Sequence, residues 1–166
     1  FKDGITEKTL NKAEKFTLTV VYNPEDTDGD KTITWSSTDT SVATVNGGVV
    51  TAVGGGETII TAKTSNGKTA TCKVKVEVPL ISISIKSETS IQYAQTEKLI
   101  VTYDPVDTTA DKTISWSSDN EDIATVSTDG TVTGKGVGEA TITAKTSDGK
   151  TATCNVTVLP VELNSI

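Results

Sequence analysis

The chain contains one long motif twice. Residues 22–45 read YNPEDTDGDKTITWSSTDTSVATV, and residues 103–126 read YDPVDTTADKTISWSSDNEDIATV. Trp35 and Trp116 occupy matching positions 81 residues apart. Cys72 and Cys154 also match, at a spacing of 82 residues, because one residue is inserted between the two landmarks. A repeat of this length is the size of one small domain, so the sequence predicts a tandem array.

The repeat also sets the predicted domain boundaries. We expect a first domain over residues 1–79, with a truncated or degenerate first strand, and a second over residues 80–160. Residues 161–166 would begin a third copy, because PVELNSI at 160–166 follows the pattern of PLISISI at 79–85. The chain therefore looks like a segment of a longer protein. A first strand without its own domain is also a candidate for pairing with an open sheet edge of a neighbouring molecule.

Composition excludes several classes of partner. The chain has no His and no Met, and its 15 cationic side chains are all Lys, against 22 acidic side chains and a net charge of −7. An acidic chain without Arg is poorly suited to nucleic acid or to an anionic membrane surface. We predict no nucleic-acid binding and no membrane insertion. Val, Ile and Thr dominate, and these β-branched residues favour strands over helices.

Alternation of apolar and polar residues predicts the strands. In the second copy we expect them at residues 81–86, 97–103, 113–117, 123–126, 131–133, 139–146 and 151–159. Asp148-Gly149 lies between two alternating runs, as Asn66-Gly67 does in the first copy, and such a pair favours a two-residue type I′ hairpin. Seven short strands at this spacing predict an all-β chain of two tandem immunoglobulin-like antiparallel β-sandwiches.

Four residues are predicted to form the centres of the two cores. Trp35 and Trp116 lie on the third strand of each copy and are expected to point inward. Cys72 and Cys154 fall on the apolar side of an alternating strand, which predicts two buried thiols. Because they belong to separate domains, we expect no disulfide between them.

The residues resemble a known family, the group 2 bacterial immunoglobulin-like domain. The resemblance covers nearly the whole chain and is carried by WSS at 35–37 and 116–118, VATV at 42–45, IATV at 123–126, DGTVTG at 129–134, GEATITA at 138–144 and ATCNVTV at 152–158. The first copy departs from the pattern at its glycines 47–48 and 54–56. The resemblance implies modules of bacterial surface and secreted proteins without a shared active site.

One loop is a candidate metal site. Asp26, Asp28 and Asp30 alternate around Gly29, and calcium prefers several oxygen ligands on a flexible turn. The second copy keeps fewer acidic residues there, and the twelve-residue helix-loop-helix pattern is absent. We therefore predict an ordinary acidic turn, no cofactor and little effect of calcium on stability. Catalysis is not expected either, since no His can act as a base and no Ser lies in a nucleophile motif.

These observations predict a non-catalytic spacer or stalk of an extracellular bacterial protein, on the cell surface or secreted, that supports adhesion. Neighbouring repeats of the same protein would be its first partners. Two alternatives stay open: a module that binds a host protein or glycan through loops at one end, and an accessory domain of a secreted polysaccharide hydrolase or of a phage virion.

Overall fold

A computed structural model describes residues 1–23 and 29–161 of the chain. It divides the chain into two compact units. The first comprises residues 1–79 with 107–109, and the second residues 80–106 with 110–166. Strands make up both units, and the only helical element among the described residues is a short 3-10 turn at Lys2–Gly4. The predicted all-β class is confirmed.

The first unit contains two facing sheets. Its described strands are β1 (Glu7–Asn11), β2 (Lys15–Thr17), β3 (Ile33–Ser37), β4 (Ala43–Asn46), β5 (Val49–Ala52), β6 (Gly56–Thr64) and β7 (Thr69–Glu77). One sheet has the order β1-β7-β6-β3 and the other β2-β5-β4. Alternate residues of β7 point inward, so that Cys72, Val74 and Val76 are fully buried between the sheets.

The second unit repeats this plan with one additional pair of strands. Its strands are β8 (Ser82–Ser84), β9 (Glu88–Gln92), β10 (Thr96–Lys98), β11 (Thr102–Asp104), β12 (Ile114–Ser118), β13 (Ala124–Val126), β14 (Thr131–Gly134), β15 (Gly138–Thr146) and β16 (Thr151–Leu159). The two larger sheets have the orders β12-β15-β16-β9 and β10-β14-β13. The additional pair, β8 with β11, covers one end of the core.

Each unit has one parallel strand pair within an otherwise antiparallel architecture. β1 runs parallel to β7 over five residue pairs, from Glu7 opposite Lys73 to Asn11 opposite Glu77. β9 runs parallel to β16, also over five pairs, from Glu88 opposite Asn155 to Gln92 opposite Leu159. The last long strand of each unit is therefore paired on both sides, with a hairpin partner on one and an early strand on the other.

The hairpin prediction at Asp148-Gly149 is wrong in its turn type. A type I′ turn needs positive φ at both central residues, but only Gly149 has one, at 91°. Its N–H donates to the Thr146 carbonyl at 3.0 Å, which closes a wider loop that ends on the glycine. A two-residue turn with positive φ at both positions occurs instead in the first unit, at Gly47 and Gly48, with φ of 57° and 86°.

Several predicted strand boundaries need correction. The predicted strand 81–86 is shortened to β8, and the predicted strand 97–103 is split into β10 and β11. β9 was not predicted at all, because its buried Thr89 and Ile91 make only a short apolar pattern. The long strands agree to within one residue, since eight or nine alternating residues leave little freedom in the assignment.

We expect Trp116→Ala to destabilise the second unit by about 3–5 kcal/mol, because it removes a large side chain that packs against both apolar clusters of that unit. The remaining Trp35 then reports only on the first unit. In urea, circular dichroism should show one earlier transition while the Trp35 fluorescence transition keeps its midpoint. An unchanged circular dichroism curve would contradict the packing role of Trp116.

Candidate functional site

The four predicted core residues occupy the interior of their units. Cys72 and Cys154 have no exposed surface, and burial raises the pKa of both thiols. Trp35 and Trp116 are partly buried and pack against the apolar clusters of their units. Trp35 also stacks on Phe1 with 5.9 Å between ring centroids. The burial of the two thiols and the packing of the two tryptophans against the apolar clusters indicate a structural role for these residues.

Asp30 is the member of the candidate calcium loop that the structure describes. Its Oδ1 accepts hydrogen bonds from the Thr32 N–H at 2.8 Å and from the Thr32 hydroxyl at 2.6 Å. These bonds hold the pKa of the carboxyl below its ordinary value. Asp26 and Asp28 lie outside the described residues, so calcium binding at this loop stays a prediction.

Asp111 of the second unit occupies the position that matches Asp30, in a loop with fewer acidic residues. Its Oδ1 accepts from the Thr113 N–H at 2.9 Å and the Thr113 hydroxyl at 2.7 Å. Its Oδ2 accepts from the Ser147 hydroxyl at 3.2 Å. The same geometry in both units indicates that the aspartate fixes the start of the Trp-bearing strand. In each unit a tyrosine hydroxyl donates to the carbonyl of the residue after this aspartate, from Tyr22 to Lys31 at 2.8 Å and from Tyr103 to Lys112 at 3.0 Å.

Three hairpin loops share a second polar motif that sequence reasoning missed. A hydroxyl residue is followed two positions later by Asp or Asn and then by Gly with positive φ: Thr64-Asn66-Gly67, Ser127-Asp129-Gly130 and Thr146-Asp148-Gly149. In each, the hydroxyl donates to the side-chain oxygen of the Asp or Asn. The hydroxyl also accepts from a backbone N–H beyond the glycine. The recurring pattern in the sequence could have predicted these hydrogen bonds.

The hydrogen bonds of this motif lower the pKa of its aspartates, which keeps their carboxylates ionised at neutral pH. Hydrogen bonds from Ser127, Lys98 and Thr131 lower the pKa of Asp129 far below its ordinary value. The Thr146 hydroxyl similarly lowers the pKa of Asp148. Carboxylates held in this state accept hydrogen bonds but are poor general acids at neutral pH. Their role is to close loops.

A polar groove of about 670 Å³ lies on the outer face of the β12-β15-β16-β9 sheet. Glu88, Asp119 and Glu139 contribute carboxylates to its lining. Asp119 accepts the Thr141 N–H at 2.7 Å, which ties it to the sheet. None of the lining residues is aromatic or cationic. The groove therefore offers neither a stacking surface for a sugar nor a counter-charge for an anion.

The most connected charged cluster bridges two strands of the second unit. Lys86 Nζ donates to the Glu97 carboxylate and to the Thr89 hydroxyl, both at 2.8 Å. The Thr89 hydroxyl donates to the other oxygen of Glu97. Hydrogen bonds from Lys86 and then Thr89 lower the pKa of Glu97. The polar groups of these three side chains bond to one another, so the cluster connects β9 to β10 and has a structural role.

Together these groups show no constellation for catalysis. Among residues 1–23 and 29–161, no three His, Cys, Asp or Glu side chains gather in a way that could hold a metal ion. The same part of the chain contains no helix long and apolar enough to cross a membrane. The structural feature with the clearest mechanical meaning is the parallel pairing of an early strand with the last strand of each unit.

Comparison with known proteins agrees with the repeat. The family model described as bacterial Ig-like domain (group 2) matches residues 5–74 and 77–156. An uncharacterised protein of Clostridium acetobutylicum is 33% identical over 148 residues, which are 86% of this chain and 15% of that protein. Ice-binding protein 1 of Shewanella frigidimarina is 37% identical over 141 residues, 81% of this chain and 16% of its own length. The chain thus spans less than a fifth of either relative.

Among solved structures, domains 1–6 of the surface layer protein SbsC match 79% of this chain and 20% of that chain, at 25% identity and a TM-score of 0.46.

Two substitutions of Asp148 should distinguish the effect of its hydrogen bond on the loop from the effect of its negative charge on stability. Because its pKa is lowered in the folded state, the ionised carboxylate stabilises the second unit above about pH 4, where an ordinary Asp is already ionised. This stabilisation is lost as the pH falls through the folded-state pKa. We expect Asp148→Asn to keep the loop, as Asn66 does in the first unit, and to flatten the acid dependence of the second unit's melting temperature. Asp148→Ala should lower that temperature at pH 7 as well. Identical acid profiles for Asp148→Asn and the parent chain would contradict this role.

Both thiols should react slowly in the native protein, because Cys72 and Cys154 are fully buried with raised pKa values. Titration with an aromatic disulfide reagent should label two thiols per chain only after unfolding. Rapid labelling of either thiol before the unfolding transition would show that its strand opens locally.

Proposed function

Because the chain belongs to the group 2 bacterial immunoglobulin-like family, whose domains are generally non-catalytic, we propose that it is a load-bearing spacer of a bacterial surface or secreted protein. In this role it holds a binding or catalytic domain, such as an adhesin head, at a distance from its point of attachment. Its first partners are neighbouring repeats. The observation that supports the proposal is the parallel pairing of β1 with β7 and of β9 with β16.

Parallel pairing determines how tension acts on each unit. A pull through the ends of the first unit acts toward the N-terminus on β1 and toward the C-terminus on β7, and it acts in the same way on β9 and β16 once β8, which precedes β9, has separated from β11. Two parallel neighbours pulled in this way slide past each other, so the hydrogen bonds of all five residue pairs share the load. Strands pulled apart from the same end would instead lose their bonds one at a time. The native arrangement is therefore the more resistant of the two.

The core supports the same strands. Val74 and Val76 of β7 and Val156 and Val158 of β16 are essentially inaccessible to solvent. Sliding of either strand would drag these side chains out of register with the opposite sheet, since a shift of one residue exchanges the two faces of a strand. Hydrogen bonds and packing thus resist the same displacement.

Surface chemistry suits an extracellular spacer. The outward residues of β6 and β7 include charged pairs such as Lys73 with Glu57 at 2.9 Å and Lys75 with Glu77 at 2.8 Å. Exposed pairs of this kind add little stability but keep the sheet face hydrated. The net charge of −7 acts in the same direction.

Single-molecule force spectroscopy tests this proposal. One arm pulls the chain through its two termini. The other pulls the second unit through cysteines introduced at Ser87 and Lys150, which lie just before β9 and β16, so that this strand pair is peeled from one end. Both arms carry Cys72→Ala and Cys154→Ala. We expect the second unit to rupture at a clearly lower force in the peeling arm. Equal rupture forces in the two arms would argue against a load-bearing strand pair.

A further inference from the structure

The chain contains the dipeptide Asn-Gly twice, both times in a β-hairpin of the first unit. Residues 44–47 read TVNG and lead from β4 into β5, whereas residues 64–67 read TSNG and lead from β6 into β7. Asn-Gly is chemically labile because glycine has no side chain to shield its backbone nitrogen from the asparagine side chain before it. Both asparagines and both glycines are exposed. The sequence therefore contains two equivalent sites, and only the structure distinguishes them.

Thr64 binds both groups that would react at Asn66-Gly67. The Thr64 hydroxyl donates to Asn66 Oδ1 at 2.6 Å, and the Gly67 N–H donates to the Thr64 carbonyl at 3.0 Å. The same hydroxyl accepts from the Lys68 N–H at 2.9 Å, which fixes its position. Attack of the Gly67 nitrogen on the Asn66 side chain requires the nitrogen to lose its proton and the side chain to move toward it. Both hydrogen bonds to Thr64 oppose these changes, so the loop protects Asn66.

Asn46 lacks this protection, although Thr44 precedes it by the same two positions. Both residues belong to β4, and residues two positions apart in a strand have Cα atoms about 6.5–7 Å apart on one face. Among the residues that the structure describes, no oxygen accepts a hydrogen bond from the Gly47 N–H. Gly47 and Gly48 form the two-residue turn, whose closing hydrogen bond joins the residues on either side of them. The Gly47 nitrogen therefore has no part in holding the turn.

We infer that Asn46 is a site of spontaneous deamidation in the folded protein and that Asn66 is protected from the same reaction. Hydroxide takes the proton of the Gly47 N–H, and the nitrogen bonds to Cγ of Asn46. The C–N bond of the side-chain amide then breaks, and its nitrogen leaves as ammonia with a proton from water, which regenerates hydroxide. The product is a succinimide ring that joins the two residues. No oxidant or reductant takes part.

Water opens the succinimide ring in one of two ways. Addition at Cγ breaks the new bond, restores the original main chain and leaves an aspartate at this position. Addition at the main-chain carbonyl carbon breaks the original peptide bond and leaves an isoaspartate, in which the main chain runs through Cγ and is longer by one methylene group. Both products carry one more negative charge than Asn46. The chain therefore becomes a mixture of two more acidic forms.

The turn that follows Asn46 packs too closely to accept a longer main chain. Gly48 is buried, and a Cβ added there would lie 2.6 Å from the Leu18 carbonyl oxygen and 3.1 Å from Cζ2 of Trp35. The Leu18 N–H donates to the Gly48 carbonyl at 2.8 Å. An additional methylene group just before the turn would displace Gly48 from these contacts. We therefore expect the isoaspartate to destabilise the first unit, whereas the aspartate keeps the native main chain and its stability.

Peptide mapping by mass spectrometry tests the inference on the full chain. The chain is incubated at mildly alkaline pH, folded in one arm and unfolded in guanidinium chloride in the other, and the conversion of each asparagine to a carboxylic acid is followed with time. In the unfolded chain the two sites should react at similar rates, because each is then Asn-Gly in a flexible chain. In the folded chain Asn46 should react about tenfold or more faster than Asn66, since two hydrogen bonds oppose the second reaction.

Two matched substitutions test the role of Thr64. Thr64→Val removes the hydroxyl and keeps the shape of the side chain, so Asn66 should deamidate about threefold or more faster. Thr44→Val removes the hydroxyl at the same offset from Asn46 and should leave the rate at Asn46 unchanged. Circular dichroism verifies that both variants are folded, and the comparison of the folded and unfolded parent chain depends on neither of them.

The stability of the products provides a second measurement. Ion exchange separates the aged chains by charge, and enzymatic methylation identifies the isoaspartate form. That form should unfold at a lower temperature than the parent chain, whereas Asn46→Asp should keep the parent midpoint. The inference is overturned by a folded chain in which Asn66 reacts as fast as Asn46, by an Asn46 that reacts only after unfolding, or by equal rates at Asn66 in Thr64→Val and the parent chain. An isoaspartate form with the parent midpoint would contradict the close packing of the turn.

Discussion

The last strand of each unit is the element on which the rest of the structure depends. Its inward residues are fully buried, and its two edges carry a long antiparallel partner and a short parallel one. In the first unit Cys72, Val74 and Val76 contact the opposite sheet from this strand. A one-residue shift would turn these side chains toward solvent and bring Thr71, Lys73 and Lys75 inward. The register of a single strand therefore determines which residues form the core of the unit.

The cysteine in this strand is a free thiol, so no disulfide joins the two sheets of either unit. Immunoglobulin sandwiches of antibodies join their sheets by a disulfide next to the core tryptophan. Here each unit has a single Cys, and both thiols are free and buried. Packing alone must hold the sheets together, which it does with small side chains: Ala43, Ala52, Ala124 and Ala140 are buried close to Val and Ile residues. Small residues let the sheets approach closely, so each unit can fold without oxidation.

Sequence patterns predicted the regular parts of this molecule and failed where contacts between distant residues decide the structure. Alternation placed β15 and β16 correctly because nine residues with one buried face permit one register. It missed β9, whose parallel pairing is set by β16, more than sixty residues away in the chain. The predicted turn type at Asp148-Gly149 is wrong because Thr146, which lies outside the dipeptide, takes part in the loop. Its hydroxyl donates to the Asp148 side chain, and its carbonyl accepts from the Gly149 N–H. The candidate metal loop could not be judged from one aspartate, since Asp30 bonds locally as Asp111 does.

The second unit is completed by β8, at the end of its core where Leu80 and Ile83 lie. The segment that completes the second unit, Leu80–Ser84, directly follows the last strand of the first unit in the chain. The second unit thus takes one strand from the connection that precedes it, and this connection becomes part of its core. Leu80 and Ile83 are as well buried there as many residues of the main cores. Because Leu80 and Ile83 of this connection are buried in the second unit, drawing the connection away from that core would expose them to solvent.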